Sequence, residues 1–178
     1  MFLFINLITI SRILLGPIIF ILITDSSMHW IALILFMFAG ITDYLDGYLA
    51  RKHNQVSALG EILDPIADKI LIVFLLFAIS VNLTSYYISF LSAVIITREI
   101  WVGALRDFNA RMQDTSATKV TFLAKIKTTI QLFTISIYLL GLALNNMIIV
   151  LIADIFLFLS FVITVYTGWV YTVNTFNR

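Results

Sequence analysis

Residues 41–69 read ITDYLDGYLARKHNQVSALGEILDPIADK and place four aspartates inside an otherwise apolar chain. Asp43 and Asp46 are three positions apart, and Asp64 and Asp68 are four apart, so each pair falls on one face of its helix. A carboxylate held in hydrocarbon is costly and is kept only when something compensates its charge. The cluster therefore indicates bound cations and chemistry on an anionic substrate.

The composition is typical of a membrane protein. Apolar residues make up 61% of the 178 residues and charged residues 12%, which is more apolar surface than a soluble domain could bury. Six stretches are long enough to cross a hydrocarbon core about 30 Å thick at about 1.5 Å per residue. They cover residues 3–24, 29–51, 60–82, 86–108, 122–144 and 148–173. The sequence thus predicts an all-α integral membrane protein, with six transmembrane helices in one bundle and a single domain over residues 1–178.

The basic residues predict the orientation of this bundle. They concentrate in and around the second and fourth connections and near both ends of the chain, whereas the other connections contain no lysine or arginine. The basic residues at these positions are Arg12, Arg51, Lys52, Arg106, Arg111, Lys119, Lys125, Lys127 and Arg178. The positive-inside bias predicts a multi-pass protein of the cell (inner) membrane, with both termini and the acidic segment facing the cytoplasm.

A helical hairpin through the acidic segment brings its carboxylates to matching depths. Asp43 lies eight residues before Arg51 and Asp68 eight residues after Gly60, so each is about 12 Å from the turn. Two carboxylates at about 4 Å repel by about 4 kcal/mol at an effective dielectric of about 20, so the four must protonate or share cations. Oxygen ligands without His or Cys favour Mg²⁺ or Mn²⁺ over Zn²⁺, and four aspartates suffice for two such ions.

A polar stripe runs along the first predicted span. Asn6, Thr9 and Arg12 recur every third residue and share one face of the helix. One interpretation is an amphipathic segment at the membrane interface. The other is that this stripe lines a polar cavity shared with the aspartates.

The acidic segment as a whole has the pattern D-x2-D-G-x2-A-R-x8-G-x3-D-x3-D, which extends over 26 residues. This pattern resembles the signature of the CDP-alcohol phosphatidyltransferase family at all eight positions, and the family's six-helix membrane fold agrees with the number of predicted spans. Within the family, the chain is most similar to members that use sn-glycerol 3-phosphate as acceptor. The stretches that carry this similarity are NLITISR (6–12), TREIWVGALR (97–106) and AKIKTTIQ (124–131).

The resemblance implies an activity and a set of site residues. It implies transfer of a phosphatidyl group from CDP-diacylglycerol to sn-glycerol 3-phosphate with release of CMP, by a membrane-embedded homodimer with no nucleic-acid partner. It implies two Mg²⁺ or Mn²⁺ ions held by Asp43, Asp46, Asp64 and Asp68, with Asp68 also acting as general base. It implies a CDP pocket formed by Gly47, Ala50, Arg51 and Gly60, to which the stripe residues Asn6 and Thr9 are also assigned.

Two arginines of the fourth span are candidates for binding the acceptor's phosphate. Arg98 lies well inside the span, where an arginine without a role is expensive. Arg106 is eight residues further on, about 80° round the helix, so both can face one cavity, and their fork geometry suits phosphate. The alternatives are that Arg98 pairs with Glu99 or Asp107 and that Arg106 is a positive-inside anchor.

A lysine of the fifth span completes the predicted phosphate site. Lys125 and Lys127 are about 200° apart on a helix and cannot both face it. Lys125 is assigned to the site because Thr128 and Thr129 continue its face, and Lys127 is interpreted as an anchor.

Two kinds of alternative function are compatible with these features: transfer to a different acceptor, and a different class of membrane protein. The acceptor could be phosphatidylglycerol, which gives cardiolipin, or serine or inositol phosphate. A divalent-cation transporter would also place carboxylates in the membrane. It should carry them at the midplane, often with inverted repeats, whereas these acids cluster to one side and no repeat is visible.

Overall fold

The computed structural model describes the backbone of residues 2–25, 28–52, 58–112 and 122–177. Side chains are described for residues 10–25, 28–42, 63, 65–112, 123 and 126–177. Within this part of the chain there are six α-helices and no strand. They are α1 (Phe2–Thr24), α2 (His29–Lys52), α3 (Ala58–Asn82), α4 (Tyr86–Arg111), α5 (Phe122–Ala143) and α6 (Met147–Phe176). Each helix coincides with one predicted span to within three residues at either end.

Two tight turns make α3–α4 and α5–α6 antiparallel neighbours. The turns contain Thr84 and Asn145, whose φ angles of 45° and 50° lie in the left-handed region. The following residues cap the next helices: Ser85 accepts a hydrogen bond from a backbone N–H of the first turn of α4 at 3.3 Å, and Asn146 does the same for α6 at 2.9 Å. These caps satisfy N–H groups that have no partner within the helix.

The third helix has a central place among the described helices. It packs on α1, α4 and α5, while α5 also packs on α2 and α6, and α4 packs on α6. The main core joins apolar side chains of all six helices, including Ile19, Leu75, Ile79, Ile135 and Leu139. A smaller cluster of Val102, Leu105 and Tyr171 joins α4 to α6 nearer the end of α4.

The surface of the described bundle suits lipid. Four helices are long and apolar enough to cross a membrane within the described residues, and α1 and α2 contribute shorter apolar stretches. The four are Pro65–Asn82, Tyr86–Arg111, Ile126–Ala143 and Met147–Phe176. Large apolar side chains such as Ile34, Ile100, Leu151 and Trp169 point outward and are more than 60% exposed. Because so many exposed apolar side chains are unfavourable in water, these helices fit a multi-pass membrane protein.

Candidate active site

A cavity of about 340 Å³ lies between α3, α4 and α5. Its charged lining, among the described side chains, consists of four cations and two carboxylates. These are Lys69, Arg98, Arg106, Lys127, Asp68 and Glu99. An apolar membrane bundle thus holds one pocket in which a motif aspartate and several cations meet.

Asp68 is held in place by an arginine from α1. The Arg12 Nη1 atom donates a hydrogen bond to Asp68 Oδ1 at 2.8 Å. Arg12 is 1% exposed, whereas the Asp68 side chain is 47% exposed. Arg12 therefore restricts the orientation of a carboxylate that lines the cavity. Arg12 thus contacts one of the motif aspartates. The side chains of Asn6 and Thr9 lie outside the described residues, so both interpretations of the stripe as a whole stay predictions.

Arg98 is a buried cation fixed from two sides. Its Nη2 donates to Thr167 Oγ1 on α6 at 2.6 Å, and its Nη1 donates to Glu99 Oε1 at 3.1 Å. The residue is 8% exposed and lines the cavity. The predicted alternative, pairing with Glu99, is thus present, but it coexists with a position in the cavity wall.

Lys127 corrects one prediction. Interpreted from the sequence as an anchor, it is 6% exposed, lines the cavity and donates to Glu99 Oε1. The anchor interpretation is therefore wrong. Helical periodicity gives the angle between Lys125 and Lys127 on α5, but it does not show which neighbouring helix each of them faces. Glu99 on α4 supplies the carboxylate that allows Lys127 to be buried here.

The second arginine of α4 contributes an exposed charge to the same cavity. The Cζ atoms of Arg106 and Arg98 each lie 5.8 Å from the centre of the Tyr171 ring, within the range of cation–π attraction. Two guanidinium groups thus share one aromatic ring. Among the described lining residues, four cations face two carboxylates, so this part of the cavity wall carries an excess of positive charge that attracts anions.

Comparison with known proteins identifies the family. Residues 2–172 match the family model of the CDP-alcohol phosphatidyltransferases. The chain belongs to the CDP-alcohol phosphatidyltransferase family. It is 36% identical over 173 residues to the CDP-diacylglycerol–glycerol-3-phosphate 3-phosphatidyltransferase of Rickettsia typhi, which covers 93% of each chain. The protein of the same name from Rickettsia bellii is 37% identical over 169 residues, which cover 93% of this chain and 91% of the relative. The one from Escherichia coli is 35% identical over 130 residues, which cover 71% of each chain.

In this CDP-alcohol phosphatidyltransferase the family's acidic motif lies on two helices. Asp43, Asp46, Gly47, Ala50 and Arg51 belong to α2, and Gly60, Asp64 and Asp68 belong to α3. Of these side chains only that of Asp68 is described, and those of Asn6, Thr9 and Lys125 also lie outside the described residues. No group of three potential metal ligands occurs among the described side chains, which include one of the four aspartates. The ion site, the CDP pocket and the role of Lys125 stay predictions.

Several polar lining residues besides Lys127 have no site role in the sequence prediction, among them Lys69, Glu99 and Gln131. A signal for Glu99 was available, because an acid inside a span beside an arginine indicates that a second cation lies near. Gln131 follows Lys127 by four residues and so shares its helix face. This spacing indicates a buried Gln131 only if Lys127 is itself buried, which the sequence does not show.

A substitution at Gly168 on α6 can test whether activity depends on the position of the Arg98 side chain. A methyl group added at Gly168 would lie 2.8 Å from Arg98 Cγ and 3.0 Å from Arg98 Nε. Because Arg98 is buried and bonded to Thr167, it must shift as a whole. We expect Gly168→Ala to lower kcat/KM for the acceptor alcohol about tenfold, since small displacements of a positioning group are costly. The measurement is CMP release at varied acceptor concentration.

The matched control is Gly40→Ala on α2. A methyl group at Gly40 would meet nothing within 4 Å, and the substitution introduces the same change in helix propensity. This variant should keep nearly full activity. Equal losses in the two variants would rule out displacement of Arg98 as the cause.

Proposed function

We propose that this protein transfers the phosphatidyl group of CDP-diacylglycerol to sn-glycerol 3-phosphate, releasing CMP and forming phosphatidylglycerophosphate. The observation that carries the proposal is the cavity in which Arg98, Arg106, Lys69 and Lys127 surround a space beside Asp68. Such a cavity suits an acceptor that carries both a phosphate and a hydroxyl. The relatives named as glycerol-3-phosphate 3-phosphatidyltransferases support the same acceptor.

The proposed reaction is a substitution at phosphorus. The primary hydroxyl oxygen of the acceptor forms a bond to the phosphorus that carries diacylglycerol, and the bond from that phosphorus to the CMP oxygen breaks. The hydroxyl proton passes to the Asp68 carboxylate as general base. The hydrogen bond from Arg12 to one carboxylate oxygen orients the group, and the side chain as a whole is 47% exposed.

The cations of the cavity hold the acceptor's phosphate. Arg98 is fixed by Thr167 and Glu99, so its guanidinium needs little further ordering when it binds a phosphate. Lys127 is held by Glu99 in the same way. Binding of this kind places the acceptor's hydroxyl near Asp68 and turns a reaction between two molecules into one between aligned groups.

The motif residues fit a pair of divalent cations and the nucleotide. Asp43, Asp46, Asp64 and Asp68 offer the carboxylate oxygens that Mg²⁺ or Mn²⁺ prefers. Two such ions, when bound, would neutralise charge on the diphosphate and on the departing CMP. The small residues Gly47, Ala50 and Gly60 would let cytidine diphosphate approach the backbone, with Arg51, Asn6 and Thr9 as its polar partners.

The proposal includes the arrangement in the membrane. Six spans with both termini in the cytoplasm would place the acidic motif just below the cytoplasmic surface of the inner membrane, where the basic connections lie. A lipid with its acyl chains in the bilayer and its nucleotide in water would reach the site from this boundary. The functional unit would be a homodimer.

Acceptor choice tests the proposal directly. Purified protein supplied with CDP-diacylglycerol and Mg²⁺ should release CMP with sn-glycerol 3-phosphate, because this acceptor carries a phosphate monoester for the cations of the cavity and a primary hydroxyl for Asp68. Serine lacks the phosphate, phosphatidylglycerol carries its phosphate as a diester, and inositol phosphate offers ring hydroxyls in place of a primary one. Chromatographic measurement of CMP distinguishes these acceptors. Faster CMP release with any of the other three would contradict the assignment.

A further inference from the structure

One side-chain amide of the cavity wall lacks a hydrogen-bond partner among the described residues. Gln131 on α5 is 5% exposed, and its Nε2 atom makes no hydrogen bond within that part of the chain. The residue also lines the cavity. A buried amide without a partner is destabilising relative to one that is hydrogen-bonded, so a ligand in the cavity is the natural source of the missing bond.

Gln131 lies at the inner end of the cavity. It follows Lys127 by one helical turn on the same face, about 6 Å further along α5. The neighbouring lining residues at that level are apolar and include Ile72 and Val73 on α3 and Ile95 on α4. Any polar group of a ligand that reaches this end can therefore hydrogen-bond to Gln131 but not to these three neighbours.

The acceptor has one polar group that the proposed reaction leaves unassigned. In sn-glycerol 3-phosphate the phosphate is bound by the cations and the primary hydroxyl meets Asp68, which leaves the secondary hydroxyl on the central carbon. We propose that Gln131 is a specificity-determining residue whose side-chain amide hydrogen-bonds to this secondary hydroxyl. A hydroxyl both donates and accepts, so it satisfies either end of the amide. The inference rests on the proposed function and defines the substrate class as a phosphorylated vicinal diol.

The experiment compares two acceptors in two proteins. The acceptors are sn-glycerol 3-phosphate and 3-hydroxypropyl phosphate, which keeps the primary hydroxyl and the phosphate but lacks the secondary hydroxyl. The wild-type protein should prefer the first by about 10- to 100-fold in kcat/KM, because the second leaves the amide unpaired. In Gln131→Met, which removes the amide but keeps the length of the side chain, this preference should fall to within about threefold.

Several outcomes separate the possibilities. If the wild-type protein uses both acceptors equally well, Gln131 does not have the proposed role. This outcome needs no variant, so the proposal can be refuted even if Gln131→Met does not fold. Full preference retained in Gln131→Met would overturn it as well. A wild-type protein with no activity on sn-glycerol 3-phosphate would instead refute the proposed function. The structural control is Thr134→Val, one turn further along α5, since Thr134 is buried and bonded to Ile130 O; its preference should equal that of the wild type.

Discussion

Asp68→Asn should lower the rate of CMP release by about 10²- to 10⁴-fold, the range typical for loss of a general base. Asparagine keeps the shape of the side chain and an oxygen that can still accept the hydrogen bond from Arg12, which spans 2.8 Å in the structure. It cannot take up the hydroxyl proton of the acceptor. The expected loss is therefore in turnover, with the bundle intact. Turnover is measured as CMP release from CDP-diacylglycerol in the presence of sn-glycerol 3-phosphate and Mg²⁺. Folding of the variant is checked by size-exclusion chromatography and thermal unfolding in detergent.

Asp107→Asn is the matched control for this prediction. Asp107 is exposed on α4 and does not line the cavity, so the same chemical change there should have little effect. Near-normal turnover of Asp68→Asn would exclude Asp68 as the base. A loss shared by the two variants would point instead to a general effect of removing an acidic side chain.

Arg98→Lys should reduce kcat/KM for the acceptor by about 10- to 100-fold, as expected when a charge-assisted hydrogen bond is lost. Lysine keeps the charge but lacks the planar fork with which Arg98 donates to Thr167 and Glu99 and, in the proposed site, to the acceptor's phosphate. The KM for CDP-diacylglycerol should change little, because Arg98 is assigned to the acceptor. Steady-state kinetics with each substrate varied in turn would separate the two effects.

Arg111→Lys serves as the control for Arg98→Lys. Arg111 is exposed in the last turn of α4 and does not line the cavity. It should behave as the wild type. If Arg98→Lys instead raised the KM for CDP-diacylglycerol and left the acceptor kinetics unchanged, the cationic cavity would have to be reassigned to the nucleotide lipid.

Sequence patterns were sufficient for the helices and the family. Apolar runs of 20 or more residues predict helices because the bilayer leaves the backbone few alternatives, and the observed helices agree with the predicted spans to within three residues. The acidic motif indicated the family because its eight residues have a fixed spacing. This information is local, since each element is defined by residues near one another in the chain.

Contacts between helices depended on how the bundle packs. The bond from Arg12 to Asp68 joins residues 56 positions apart, and that from Arg98 to Thr167 joins residues 69 apart. Helical periodicity gives the angle of a side chain about its own axis, but not which neighbouring helix it meets. For this reason the sequence does not predict that Lys127 is buried against Glu99. Nor does it predict that the amide of Gln131 lies in the wall of a cavity between α3, α4 and α5 with no hydrogen-bond partner among the described residues.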